Sequence, residues 1–133
     1  MLTGTIVFDL GEVYSIERLA IWQGQQVVRS LNRQVNGITL ETSLDSAFTV
    51  SQAAGNFNVP LSASATHPVT HSVNDFDLTD TTARYVRLTI TSNHGSTAST
   101  SLGEIAFAVN QVPEPTSALL GLIGSLALLR RRR

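Results

Sequence analysis

The segment Tyr85-Val86-Arg87-Leu88-Thr89-Ile90-Thr91 constrains the fold of this chain more than any other. Val86, Leu88 and Ile90 recur at every second position. That period puts apolar residues on one side of an extended strand, whereas a helix would scatter them around its circumference. Other segments repeat it. Ile6, Phe8 and Leu10 alternate with Val7 and Asp9 until Gly11-Glu12 breaks the run, and Ile38, Leu40 and Thr42 alternate with Thr39, Glu41 and Ser43. Ile16, Leu19 and Ile21 anchor a further apolar segment ending at Trp22, and Ile105, Phe107 and Val109 close the set. Phe48-Thr49-Val50 and Phe76-Asp77-Leu78 read as short strands. Nothing before residue 111 sustains helical periodicity. The expectation is an all-β fold, an antiparallel β-sandwich or jelly roll with one buried face per sheet. Two connections are long: 56–74, irregular or carrying a weak edge strand, and 92–101, a polar surface loop.

Within 133 residues there is room for one β domain over 1–110 and a distinct C-terminal segment over 111–133. The whole-chain charge of −1 hides an uneven distribution, because four of the nine basic residues are the terminal arginines. The body sets five arginines against nine carboxylates, a net of −4. That argues against nucleic acid, whose recognition needs a basic stripe. With no cysteine, disulfides, thiolate chemistry and zinc–thiolate sites are excluded.

The C-terminal segment has three parts in order: Val112-Pro113-Glu114-Pro115, an uncharged apolar run over 118–129, and Arg130-Arg131-Arg132-Arg133. The prolines hold Glu114 extended. The run is at the short end for a membrane-spanning helix, but it is apolar all round, unlike a core-facing helix. Arginines beside it stay cytoplasmic under the positive-inside rule. This arrangement resembles the PEP-CTERM sorting signal of Gram-negative bacteria. The resemblance implies recognition by an exosortase-type transpeptidase, a transient anchor in the inner membrane, removal of the tail, and delivery to the outer surface or extracellular matrix. An uncleaved tail anchor is the alternative. Met1-Leu2-Thr3-Gly4-Thr5 has neither the charged nor the apolar region of a signal peptide. An exported protein needs one, so a missing N-terminus is expected.

The body carries a second resemblance. Phe8-Asp9-Leu10-Gly11, the run Ile16-Glu17-Arg18-Leu19-Ala20-Ile21-Trp22, Thr42-Ser43-Leu44-Asp45, Ala83-Arg84-Tyr85-Val86-Arg87-Leu88 and Leu102-Gly103-Glu104-Ile105 follow one another in order. This order is similar to the discoidin-like family, the coagulation-factor C-type domains within the galactose-binding-like β-sandwiches. It covers residues 4–109 and lacks the family's opening segment, so a first strand is expected to be absent here.

That resemblance implies a non-catalytic module binding carbohydrate through loops at one end of a sandwich, with extracellular polysaccharide as the natural partner of a protein sorted this way. Trp22 enters the loop 23–36 and either stacks on a sugar face or caps the core. Arg29, Asn32 and Arg33 on that loop either grip hydroxyls and carboxylates or are simply solvated. His94, before Gly95, is a loop histidine near a ligand or in solvent. Glu104 stands where the family often completes a calcium site, so a structural calcium ion is one expectation and an ordinary surface carboxylate the other. Arg84, three positions from Arg87, is expected on the Val86–Leu88 face in an ion pair near the sheet end. Catalysis has little support. His67 and His71 have a chelating spacing only on a helix, which Pro68 opposes, and no nucleophile elbow, phosphate loop or dinucleotide fingerprint occurs. The alternatives to a glycan binder are a structural or adhesion protein and the remnant of a secreted glycan-active enzyme.

Overall fold

The computed structural model describes residues 3–24, 28–62 and 73–112. Five strands form one antiparallel sheet in the order β3-β2-β4-β1-β5. They are β1 (Gly4–Trp22), β2 (Val35–Ser43), β3 (Gln52–Asn58), β4 (Val73–Asn93) and β5 (Glu104–Gln111), with a 3-10 helix over Val28–Arg33. His67, His71, the proline motif from Pro113 onward, the apolar run and the arginine cluster lie outside the described residues.

The register explains how one sheet becomes two layers. Residues 85–93 of β4 pair with β2 on one side and residues 4–9 of β1 on the other. Residues 73–83 of β4 pair instead with 14–22 of β1, which in turn pairs with β5. Between these blocks the register slips, so that residues 10–13 of β1 stand opposite Arg84 alone. Bulges of this kind bend strands. Here both long strands turn a corner and the sheet folds back on itself. Phe8 meets Phe107 edge-on at 5.3 Å, and Phe57 meets Phe76 at 4.8 Å, each pair joining a residue of one layer to one of the other.

Between the layers lies the core: Ile16, Leu19 and Ile21 of β1, Ile38 and Leu40 of β2, Ala54 of β3, and Leu78, Ala83, Val86, Leu88 and Ile90 of β4, with Val35 and Val59 at the strand ends. Each large aliphatic side chain buried there contributes roughly 1.5–3 kcal/mol. Ile16 and Leu19 are three positions apart, an odd spacing that a regular strand sends to opposite faces. Both are fully buried because Glu17 is an extra residue, with Ile16 opposite Val109 and Arg18 opposite Ala108. The Glu17 carboxylate accepts a hydrogen bond from Asn110 Nδ2.

Several sequence expectations need correction. Gly11-Glu12 does not end the first strand. Gly11 takes a φ of +86°, its N–H bonds to Asp9 Oδ1, and β1 continues around the corner. Phe76 to Leu78 is part of β4 rather than a separate short strand. Phe48-Thr49-Val50 is not a strand. Asp45 accepts from the N–H groups of Ala47 and Thr49 and from Thr49 Oγ1, and Phe48 is left-handed at φ 53°. Turn chemistry outweighs the strand preference of those three residues. β3, over Gln52–Asn58, is not among the expected strands, and residues 63–72 of the connection 56–74, for which a weak edge strand is one expectation, lie outside the described residues. Arg84 does not join the Val86–Leu88 face. It stands at the bulge, where alternation is interrupted, and its guanidinium reaches Asp9 at 2.8 Å. The ion-pair role expected for it stands.

Candidate functional site

Folding at the corner brings the end of β1, the start of β2, the ends of β3 and β4 and the start of β5 to one end of the sandwich. Three connections meet there: the segment from Gln23 to Gln34, the segment after Val59, and the loop from His94 to Gly103. Loops without a ladder must satisfy their backbone groups otherwise, and here buried amides do so. Gln23 Nε2 donates to the carbonyls of Val35 (2.6 Å) and Pro60 (3.2 Å). Gln34 Nε2 donates to Ser62 O (3.0 Å) while its Oε1 accepts from Ser62 N (2.8 Å). Asn93 Nδ2 donates to Ser96 O and Thr100 Oγ1, and its Oδ1 accepts from Gly95 N. All three residues are buried. Backbone bonds add to this: Ser96 N donates to Asn32 O, Ser101 N to Arg33 O and His94 N to Gln34 O.

On this scaffold the candidate residues fall into two groups. Asn32 and Arg33 are exposed at the end of the 3-10 helix, their carbonyls held by the His94–Gly103 loop. Arg33 has no carboxylate partner among the described residues. Arg29 lies on the same helix. His94 is half-buried and its Nε2 lies 3.0 Å from Val59 O, which ties that ring nitrogen to the scaffold.

The second group is on the outer face of the layer made by β1, β4 and β5. Ile21 points inward, so its neighbour Trp22 points out. Trp22 is half-buried, opposite Val73 on β4 and Glu104 on β5. Of the two roles weighed for Trp22, capping the core does not fit its place on the outer side. Glu104 is exposed, and Trp22 and Val73 beside it are not oxygen ligands. Among the described residues no group of three or more His, Asp or Glu could hold a metal ion. A Cβ at Gly103 would collide with the Trp22 carbonyl oxygen and lie 2.9 Å from backbone atoms of Gln23 and Gly24. Glycine at that position lets the β5 lead-in lie directly against the end of β1.

Sequence reasoning missed Gln23, Gln34 and Asn93. Their signal was an amide immediately flanking an apolar strand, which a buried strand end has reason to demand. It also left Asp75 unconnected to Trp22. The register puts Asp75 opposite Ala20, diagonal to Trp22 on the same outer face.

At the opposite end of the sandwich a cavity of about 140 Å³ is lined by Thr42, Ser43, Asp45, Gln52 and Thr82. Ser43 Oγ donates to Val50 O, and Asp45 is held below the ordinary carboxylate range chiefly by Thr49 Oγ1. These groups are committed to their own loop, and the cavity contains none of the candidate residues.

A family model described as F5/8 type C domain matches residues 3–105. No curated protein sequence matches the chain. Among solved structures, a chitobiase-like fragment from Bacteroides thetaiotaomicron superposes with a TM-score of 0.64 at 20% identity, over 85% of this chain and 64% of its own length. The module CpGH89CBM32-5 from Clostridium perfringens, solved with GalNAc-β-1,3-galactose, gives 0.60 at 17%, over 80% of this chain and 66% of that one. The family 32 carbohydrate-binding module of EndoD from Streptococcus pneumoniae gives 0.59 at 16%, over 82% and 71%. The chain thus spans just under two thirds of the first two. At these identities the likeness establishes a shared jelly-roll fold.

Proposed function

The chain belongs to the F5/8 type C domain family, and on that premise we propose that it is a non-catalytic carbohydrate-binding module. Trp22 carries this reading. It is the only tryptophan in the sequence and stands on the outer face at the loop-bearing end, partly in solvent. Aromatic rings stack on the apolar faces of sugars while their rims remain free to hydrogen-bond. Asn32 and Arg33 at the same end, with Arg29 on the same helix, supply polar groups for hydroxyls. The buried amides hold these loops in place before any ligand arrives, which reduces the ordering cost of binding. Solved structures of similar fold include modules that carry carbohydrate-binding names, one of them with a bound disaccharide. The test is calorimetric titration with a panel of oligosaccharides. Wild type binds at least one, and Trp22→Ala removes that binding while the variant still melts cooperatively. Absence of binding to every glycan overturns the reading.

The sorting role belongs to the same proposal. Val112-Pro113-Glu114-Pro115, the apolar run and the terminal arginines are proposed to direct an exported protein through an exosortase-type transpeptidase to the Gram-negative cell surface or matrix, where polysaccharide is the partner. Among the described residues no helix is long and apolar enough to cross a membrane, and the run itself lies outside them. Replacing Pro113-Glu114-Pro115 by alanines should leave the protein in the inner-membrane fraction. Unchanged surface delivery overturns the sorting reading alone.

One observation favours a second reading, a structural or adhesion protein. Residues 4–9 of β1 pair with β4 on one side and with no strand among the described residues on the other, and Ile6 and Val7 there are 39% and 51% exposed. Open edges pair with other chains. Self-association in sedimentation experiments, together with a blank glycan panel, would favour it.

A further inference from the structure

We propose that the cavity at the corner end of the sandwich is a second, weaker glycan subsite, one that takes the acetamido group of N-acetylated sugars. This inference goes beyond the Trp22 site and rests on the carbohydrate-binding reading above only for the class of ligand.

The two most exposed large apolar side chains among the described residues are Val50 at 76% and Leu44 at 63%, and both line this one cavity of about 140 Å³. A single exposed aliphatic residue calls for no explanation, but two on the wall of one concavity mark a contact surface. Their backbone is fixed. Ser43 Oγ accepts from Asp45 N at 3.1 Å and donates to Val50 O at 2.8 Å, which ties both sides of Leu44 to Val50. The Asp45 carboxylate closes the loop between them, accepting from Ala47 N at 2.7 Å, Thr49 N at 3.0 Å and Thr49 Oγ1 at 2.6 Å. The wall is therefore in place before any ligand arrives, which lowers the ordering cost of binding.

The lining selects by what it leaves unspent. Asp45 is its one charged residue among those described, and its carboxylate is already committed to the loop. Gln52 and Thr82 are exposed, and their side chains bond to no group among the described residues. An amide side chain offers a carbonyl acceptor and N–H donors together, the complement of another amide, while Leu44 and Val50 offer an apolar wall to a methyl group. An acetamido group has both parts. Sugar hydroxyls leave the apolar wall unused, and a charged substituent would be dehydrated with no counter-charge to meet it. An apolar cavity of about 150 Å³ in another protein holds a benzene molecule, so this volume suits an appended group rather than a whole sugar. The site is also remote from Trp22. Thr82 stands opposite Ser15 on β1, and Trp22 ends that strand on the order of 20 Å away, at about 3.3 Å per residue. A disaccharide cannot touch both.

Contacts with one small group sustain only about millimolar affinity, so the test is an NMR titration of the isotope-labelled full chain rather than calorimetry. With the N-acetylglucosamine disaccharide, the Gln52 side-chain amide and the Leu44 and Val50 methyl resonances should shift saturably. With cellobiose at equal concentration they should stay in place. The shifts should persist in Trp22→Ala and vanish in the double variant Leu44→Ser, Val50→Ser, with the rest of its spectrum unchanged because both positions are exposed. Movement around Trp22 alone overturns this inference and leaves the carbohydrate-binding reading standing. Equal shifts with cellobiose overturn it as well, since the acetamido group would then contribute nothing. A neutral acetylated tripeptide that saturates the site at lower concentration than the disaccharide overturns it in favour of a protein partner. No movement with any sugar also overturns it, and a blank glycan panel removes the reading beneath it.

Discussion

The two layers of the sandwich present different outer faces. On the layer of β3, β2, residues 85–93 and residues 4–9, every described charge is matched. Glu41 accepts from Arg87 Nε at 2.8 Å, Arg87 also lies over the Phe48 ring at 4.3 Å, and Asp9 is bound by both Nε and Nη2 of Arg84. Around these pairs run threonines, with Thr5 and Thr89 hydroxyls 3.3 Å apart. On the layer of β1, β4 and β5, Arg18 pairs with Asp77, and Glu17, Asp75 and Glu104 have no cationic partner among the described residues. Trp22 lies partly in solvent on the same layer. The first face is satisfied by its own residues, whereas the second leaves its carboxylates to water.

The largest test of this contrast is Trp22→Ala. It should lower glycan affinity about tenfold or more in calorimetric titration, with the variant still melting cooperatively. Phe48→Ala on the finished face should leave affinity unchanged. Next in size is an attempt to finish the second face. Val73→Arg puts a guanidinium opposite Trp22, as Arg87 stands beside Glu41, and Val73 is already 43% exposed. Affinity for the glycans that bind wild type should fall several-fold, roughly 1 kcal/mol, because the guanidinium would cover the tryptophan ring. Third, Arg87→Ala should destabilise the fold by about 1 kcal/mol, combining a partly exposed ion pair with a cation–π contact, and leave glycan binding intact. A denaturant titration reads it.

The smallest effect is a titration. Arg84, followed by the Gly11 N–H, lowers the Asp9 pKa from 3.8 to about 2, and Arg87 lowers that of Glu41. A carboxylate depressed in the folded state contributes stability above its unfolded pKa and loses it as pH falls through the folded value. The contribution of Asp9 is therefore complete above about pH 4 and fades towards pH 2. In Arg84→Ala the Asp9 carboxyl resonance should titrate close to the ordinary value. A midpoint still near 2 would show that Gly11 alone sustains the shift.

Most of the architecture was legible in the sequence because buried β-strands must alternate. Val86, Leu88 and Ile90, Ile38, Leu40 and Thr42, and Ile105, Phe107 and Val109 occupy the faces that their spacing assigns. What alternation cannot reveal is where it is interrupted. The corner at residues 10–13, opposite Arg84, depends on pairing between residues more than seventy positions apart. The Asp45–Thr49 turn was illegible for a different reason: one aspartate accepting three hydrogen bonds overrides the strand preference of Phe48, Thr49 and Val50. β3 escaped notice because Ala53, Gly55, Asn56 and Asn58 have little strand preference of their own, and β2 supplies the template. At the candidate site, Trp22 and Glu104 were individually visible. Their adjacency, and that of Asp75, required the register of three strands.

Glu17 ties the core and the outer face of β1 together. Counting outward from it, one residue decides whether Leu19 and Ile21 look inward and Trp22 outward, or the reverse. Deleting its codon would leave Ile16, Leu19 and Ile21 at every second position, so the strand would keep both faces and lose only the bulge. Drawing Glu17 into regular pairing would instead drive Trp22 inward and Leu19 and Ile21 into water, since a one-residue slip turns every side chain to the other face. The bulge residue is thus dispensable to the face, whereas an unpaired insertion between Arg18 and Trp22 is not tolerated. In descendants of this sequence the surface near Trp22 should drift in chemistry while the number of residues between Arg18 and Trp22 stays fixed. That constancy of length would mark the strand even after its residues had ceased to be recognisable.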